Sequence, residues 1–129
     1  MEGAEKIRTF IDLEAWQVSH ELVLQIYKLT NSFPQNEQFG ITSQLRRAVS
    51  SITANIAEGF ARYHYKDKTR FYYQARGSAF EVLNFTILAK DLGFITESSY
   101  KLITEQISMS AKLINGLVRS VENQQKVSV

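Results

Sequence analysis

If this chain were an enzyme, its reacting groups would come from Asn55, Glu58 and Arg76, with Glu58 as the group that turnover depends on. No other acid, base or nucleophile converges on Asn55, so the set lacks the partner that acid–base chemistry needs. The two histidines do not supply one. His20 falls on a helical stripe with Trp16 and Val23, the setting of a hydrogen-bonded structural imidazole, and His64 falls in a solvated turn. The chain has no cysteine, hence no thiol nucleophile, thiolate metal site or disulfide. A di-iron centre in a helical bundle needs Glu-x-x-His on two helices. Three positions after Glu14, Glu58, Glu81 and Glu105 stand Gln17, Ala61, Asn84 and Ser108, so that test fails. There is no Gly-x-Ser-x-Gly elbow, Walker loop or dinucleotide glycine pattern, and Arg76-Gly77-Ser78 lies in a helical window with no strand before it. The residues predict no catalysis, no cofactor and no metal.

The elements that carry these residues read as helices throughout. The 129 residues suit one domain, and 44% hydrophobic with 22% charged residues is ordinary for a folded protein. A formal charge of +2 is too small to imply nucleic acid unless the basic residues cluster. The opening MEGAEKIRTF lacks the apolar core of a signal peptide, and no run approaches a membrane span, so the cytoplasm is the expected compartment.

The one proline is Pro34, and helix formers fill the windows on both sides. Asp12 can cap a first helix over about 13–33, with two apolar stripes: Leu13, Trp16, Val23 and Tyr27, then Val18, Leu22, Ile26, Leu29 and Phe33. Thr42 or Ser43 can cap a second over about 42–62. A third spans about 67–92, with Gly93 as a left-handed terminator. A fourth covers about 97–122, where Tyr100, Ile103, Ile107, Ser110, Ile114, Leu117 and Val121 alternate spacings of three and four, the seam of a bundle helix. The polar tail NQQKVSV is expected to fray. Short connections force neighbours to run oppositely, giving an all-α antiparallel up-down-up-down four-helix bundle.

Within the second helix, SSITANIAEGFAR is small-sided almost all round. A heptad count puts Leu45, Ala48, Ile52, Asn55 and Gly59 on one stripe, so Asn55 becomes a buried polar residue that sets register, and the helix approaches its neighbours closely. If the second and third helices form a hairpin about residue 64, facing positions sum to roughly 128. That sets Glu58 against Arg70, Arg47 against Glu81 and Gly77 against Ser51, with the charges as register-fixing pairs.

The run Gln44-Leu45-Arg46-Arg47-Ala48, Ser51-Ile52, Ala54-Asn55-Ile56-Ala57-Glu58-Gly59 and Arg62, followed by Ala75-Arg76-Gly77-Ser78 and Glu81, resembles the 23S rRNA intervening-sequence proteins. Phe10, Leu13, Trp16, Phe33-Pro34 and Glu37 fit the same pattern, and Thr53 departs from it where many members carry proline. The resemblance implies an antiparallel four-helix bundle that assembles as a ring-like homopentamer, and a likeness to the nucleic-acid-binding accessory variability protein of diversity-generating retroelements. It also makes Arg46, Arg47, Asn55, Glu58, Gly59, Arg76, Gly77, Ser78 and Glu81 structural motif residues.

A partner copy would account for the double stripe of the first helix, since a monomeric bundle needs only one buried face. A ring would also repeat any basic rim. Arg62, Lys66, Lys68 and Arg70, interleaved with Tyr63, Tyr65, Tyr72 and Tyr73, are the candidates for neutralising a nucleic-acid backbone and stacking its bases, the resemblance favouring RNA; the alternative is a solvated hairpin turn whose tyrosines pack on the bundle end. The other functional reading is a protein-interaction scaffold that binds no nucleic acid.

Overall fold

The computed structural model describes residues 6–128, and readings that involve residues 1–5 or Val129, including part of the opening stretch and of the tail, lie outside it. Four α-helices hold most of the described residues, with no strand among them. They are α1 (Glu14–Thr30), α2 (Ile41–Ala61), α3 (Tyr65–Asp91) and α4 (Glu97–Ser128), with 3-10 turns at Phe10–Asp12 and Gln35–Glu37.

The ends of these helices show where local chemistry departs from the sequence reading. Asp12 does not cap α1. Its Oδ2 accepts the Arg8 and Thr9 backbone N–H groups at 2.8 and 3.1 Å, closing the preceding turn and holding its carboxyl below the usual value. Leu13, in extended conformation, precedes α1 without a side-chain cap. The helix stops at Thr30, and Asn31, Ser32 and Phe33 continue only as i→i+3 turns that swing Phe33 back into the core. There its ring meets that of Phe94 at 5.5 Å.

Neither Thr42 nor Ser43 caps α2, because the helix begins a residue earlier and Thr42 is already buried in its first turn. Gly40 occupies the cap position, and the Glu37 carboxylate accepts the Ile41 N–H at 3.4 Å, placing negative charge at the positive end of the helix. The helix then runs unbroken through Thr53, whose hydroxyl donates to the Ser50 carbonyl.

Helix α3 starts at Tyr65, so the turn after α2 is only three residues long. At its other end Gly93 has φ 79°, with Gly93 N–H to Lys90 O and Phe94 N–H to Ala89 O, the paired bonds of a Schellman terminator. The Thr96 hydroxyl accepts the Ser99 N–H at 3.1 Å and starts α4. That helix continues to Ser128 instead of ending near 122, since nothing in its last turns is a glycine or proline and Lys126 suits a C-terminal dipole.

Contacts join α1 to α2, α2 to α3, α3 to α4 and α4 to α1, so the helices close into a four-helix bundle. Its core takes Leu22 and Ile26 from α1, Leu45, Ile52 and Ile56 from α2, Val82 from α3 and Ile114 from α4, all fully enclosed. Each such side chain contributes about 1.5–3 kcal/mol. An exposed ion pair contributes at most about 1 kcal/mol, so the apolar faces set the register and the charges follow.

Along the α2–α3 seam, the partner on α3 retreats as α2 advances. Ser51 Oγ accepts the Ser78 hydroxyl at 2.9 Å, Gly59 lies against Phe71 and Tyr72, and the Phe60 carbonyl accepts Lys68 Nζ at 2.8 Å.

Candidate nucleic-acid interface

The turn Arg62–His64 that joins α2 to α3 is three residues long. Its tip is aromatic and exposed. Tyr63 is 88% exposed, and its ring stands edge-on to His64 at 5.1 Å. The four basic residues around this tip do not behave alike.

Lys66 projects into solvent. Arg62 Nη2 lies 2.7 Å from Glu58 Oε2, one helical turn back, and Arg70 Nη2 lies 3.7 Å from Asp67 Oδ1. Both guanidinium groups also stand over the Phe71 ring, at 4.7 and 4.6 Å. These ion pairs are solvent-exposed and worth about 0.2–1 kcal/mol, little enough for a phosphate to displace the carboxylates.

Lys68 is different. Its Nζ turns back to donate to Phe60 O at 2.8 Å and Gly59 O at 3.4 Å, so it satisfies the last carbonyls of α2. Partial burial pulls its pKa below the ordinary lysine value. A lysine so engaged is a helix-terminating group and not a free phosphate contact.

The expected cross-helix pair of Glu58 with Arg70 is therefore replaced by two intrahelical pairs. Arg47 and Glu81 do not pair either. Arg47 donates to Gln44 Oε1 at 3.3 Å, Glu81 is exposed, and no ion pair joins them among the described residues. Both face water, where a pair gains little.

Arg46 is anchored instead. Its Nε donates to Thr30 Oγ1 at 2.8 Å, its Nη2 to Asn31 Oδ1 at 3.0 Å, and its guanidinium stands 4.7 Å over the Tyr27 ring. Arg76 binds across to α4, with Nη1 donating to Asn115 Oδ1 at 2.9 Å and the Tyr73 ring beneath it.

Asn55 does not point into the core. Its amide donates to Ser51 O at 2.9 Å and Ser51 Oγ at 3.0 Å, on the flank facing α3, and Ile56 takes the buried position. Nor does Gly77 make the close contact with Ser51. A Cβ added at Gly77 would meet nothing within 4 Å, and the small-residue approach occurs at Gly59. Asn55, Glu58 and Arg76 thus have separate partners, and they do not assemble into one site.

Residues 11–116 match the family model described as 23S rRNA-intervening sequence protein. The chain belongs to that family. Its fold is similar to that of a protein with unknown function from the S23 ribosomal protein family of Bacteroides thetaiotaomicron, with a TM-score of 0.73 and 23% identity over 81% of this chain and 97% of that one. No curated protein matches this chain.

Of the motif residues, Arg46, Gly59, Arg76 and Ser78 make contacts between helices, whereas Arg47, Asn55 and Glu58 bond locally and Gly77 and Glu81 are exposed. Some contacting groups are only partly legible in the sequence. Ser19 and Ser110 share a 2.7 Å hydrogen bond between α1 and α4, both fully enclosed. Ser110 carries a signal, a hydroxyl at a seam position, but Ser19 shows none until the helices are paired. Asn115 likewise gains meaning only as the acceptor for Arg76. His20 stacks on Trp16 at 4.6 Å with an interplanar angle of 10°, an aromatic pair on the α1 surface. Among the described residues no group of three His, Cys, Asp or Glu could hold a metal, and no helix is long and apolar enough to cross a membrane.

Proposed function

We propose that this protein is a non-enzymatic, cytoplasmic RNA-associated protein, a single antiparallel up-down-up-down bundle that assembles with copies of itself into a ring, as a pentamer, and uses no metal or cofactor. The retreat of α3 contacts as α2 advances supports the antiparallel arrangement. RNA as the partner class and the ring as the assembly are what the resemblance to this family implies, and residues 11–116 match the family's model.

The observation that carries the RNA reading is the α2–α3 tip. Arg62, Lys66 and Arg70 are exposed on the segments either side of the turn that presents Tyr63, with Glu58 and Asp67 held only through exposed pairs. Arginine and lysine neutralise phosphates, and Tyr63 offers a ring on which an unpaired base can stack. A ring of copies repeats this tip around one rim and multiplies a field that one chain produces weakly.

Fluorescence anisotropy with a short single-stranded RNA over a salt series tests the reading. Binding at low salt that falls with a log–log slope of about −0.7 for each phosphate contact is expected. No binding at low salt would leave the protein-interaction scaffold as the better reading.

A further inference from the structure

Phe80 is 59% exposed on α3, and beside it a depression of about 340 Å³ opens between α3 and α4. That volume falls at the lower end of the roughly 300–1,000 Å³ of small-molecule sites. Leu83 and Ile107 contribute apolar lining, Phe80 an aromatic ring, and Lys112, Asn115 and Arg119 the polar part. No carboxylate is among the residues that line it. The Asn115 amide has a fixed sense. Its Oδ1 accepts Arg76 Nη1 at 2.9 Å, so its nitrogen keeps two N–H donors without a partner among the described residues. Arg119 is exposed and has no ion pair or hydrogen bond among the described residues either.

This depression is joined to the α2–α3 tip by one face of α3. Lys66, Tyr73 and Phe80 recur every seventh residue, which aligns them along the helix. At 1.5 Å per residue the line from Lys66 to Phe80 spans about 21 Å. Between its ends Tyr73 is 42% exposed, the Arg76 guanidinium stands 4.8 Å from its ring, and the same Arg76 reaches Asn115 at the depression. Basic groups and rings thus alternate along the whole line, the combination that neutralises a single strand's backbone while its bases stack. Two acids border the far end. Glu122 accepts the Tyr73 hydroxyl at 3.4 Å, and Glu105 lines a second depression that Lys112 shares, so the free cation of the first is Arg119.

We propose that the α3–α4 depression takes one unpaired nucleotide of an RNA strand held at the tip, with the base against Phe80, acceptors on the base edge at Asn115 Nδ2 and a phosphate at Arg119. The inference rests on the RNA reading above and adds the path of the strand. At about 3.4 Å per stacked nucleotide, the 21 Å line needs about six nucleotides. A base in a duplex is covered on both faces by its neighbours, so the site selects single strands.

Fluorescence anisotropy at low salt, with a labelled single-stranded RNA of about twelve nucleotides to cover the line twice over, tests the path. Phe80→Ala is expected to weaken binding by at least about fivefold, the lower bound for one base–aromatic stack, with the salt slope retained and with Phe80→Tyr restoring the affinity. Arg119→Gln is expected to reduce the slope by about 0.7. All three variants should keep the wild-type melting curve and particle mass. If the wild type binds and either Phe80→Ala or Arg119→Gln binds as it does, the depression holds no nucleotide and the tip reading stands. A weaker Phe80→Ala whose particle mass also falls makes Phe80 an assembly contact and likewise overturns the path. A wild type that binds no RNA overturns both.

Discussion

Gly59 sits so close to Tyr72 that a Cβ at residue 59 would lie 2.7 Å from the ring's Cε1 and 2.9 Å from its Cδ1. The ring is itself buried against α2, so it cannot swing away into solvent. This close approach, together with the Ser51–Ser78 hydrogen bond, lets α2 and α3 pack along their whole shared length.

Glycine substitutions should therefore act in opposite directions on the same two helices. Gly59→Ala forces overpacking and is expected to lower stability by about 1–3 kcal/mol. Gly77→Ala meets nothing within 4 Å on an exposed helical face and should raise stability by about 0.5–1 kcal/mol. Urea denaturation of both variants measures the pair, and a destabilising Gly77→Ala would contradict the open environment assigned to it.

Tyr72 predicts a loss of stability in alkali. Burial pushes its pKa from 10.0 up to about 12. Because the folded state holds the proton more tightly than the unfolded chain does, the stabilisation is complete below pH 10 and is lost as pH rises from 10 to 12. Two pH units correspond to a loss on the order of 2–3 kcal/mol. Lys68 has the opposite sign, since its lowered pKa makes stability rise as pH approaches the ordinary lysine value. Comparing Tyr72→Phe with wild type over this range isolates the tyrosine, whose variant should lack the decline.

Arg46 should not tolerate lysine. The planar guanidinium reaches Thr30, Asn31 and the Tyr27 ring together, and an ammonium on a flexible stem cannot reproduce that fork. Losing charge-assisted bonds at a part-buried site costs about 1.5–3 kcal/mol. Arg46→Lys is expected to recover less than half of what Arg46→Ala loses, whereas Arg47→Ala, exposed and bonded only to Gln44, should leave the melting midpoint nearly unchanged.

At the α2–α3 tip, Lys66 and Lys68 should separate cleanly. Lys66→Ala is expected to reduce the salt slope of RNA binding by about 0.7 and leave melting unaltered. Lys68→Ala removes the donor to the last carbonyls of α2 and should lower the melting temperature without changing that slope. If the two variants reverse these effects, the phosphate contact has been assigned to the wrong lysine.

The number and order of helices are legible in the sequence because apolar periodicity and one glycine terminator are local signals. Residues in α4 show this well, since Ile103, Ile107, Ser110, Ile114 and Val121 of the expected seam are all buried. Asn55 shows the limit. A strict heptad assigns it to the core, but at 3.6 residues per turn the eleven residues from Leu45 to Ile56 make about three turns, which returns Ile56 to the buried face and leaves Asn55 about 80° off it. The α2 cap escapes for another reason, because Glu37 reaches Ile41 only after the intervening 3-10 turn has folded. The hairpin count comes within one residue of the observed Ser51–Ser78 contact, yet it cannot say that Arg47 and Glu81 prefer water. Nor can spacing reveal that Lys68 turns back onto its own hairpin.

The Ser19–Ser110 bond tests whether α1 and α4 are joined by attraction or merely by mutual satisfaction. Both hydroxyls are fully enclosed and 2.7 Å apart. Ser110→Ala leaves the Ser19 hydroxyl without this partner in an apolar seam and is expected to cost about 1–3 kcal/mol. Ser19→Ala should cost a similar amount. Replacing both removes the desolvated groups together, so the double variant is expected to be no less stable than either single one, with a coupling of about 0.5–3 kcal/mol in a double-mutant cycle. Additive losses would mean that each hydroxyl acts through a separate contact, and the bond would then not join the two helices.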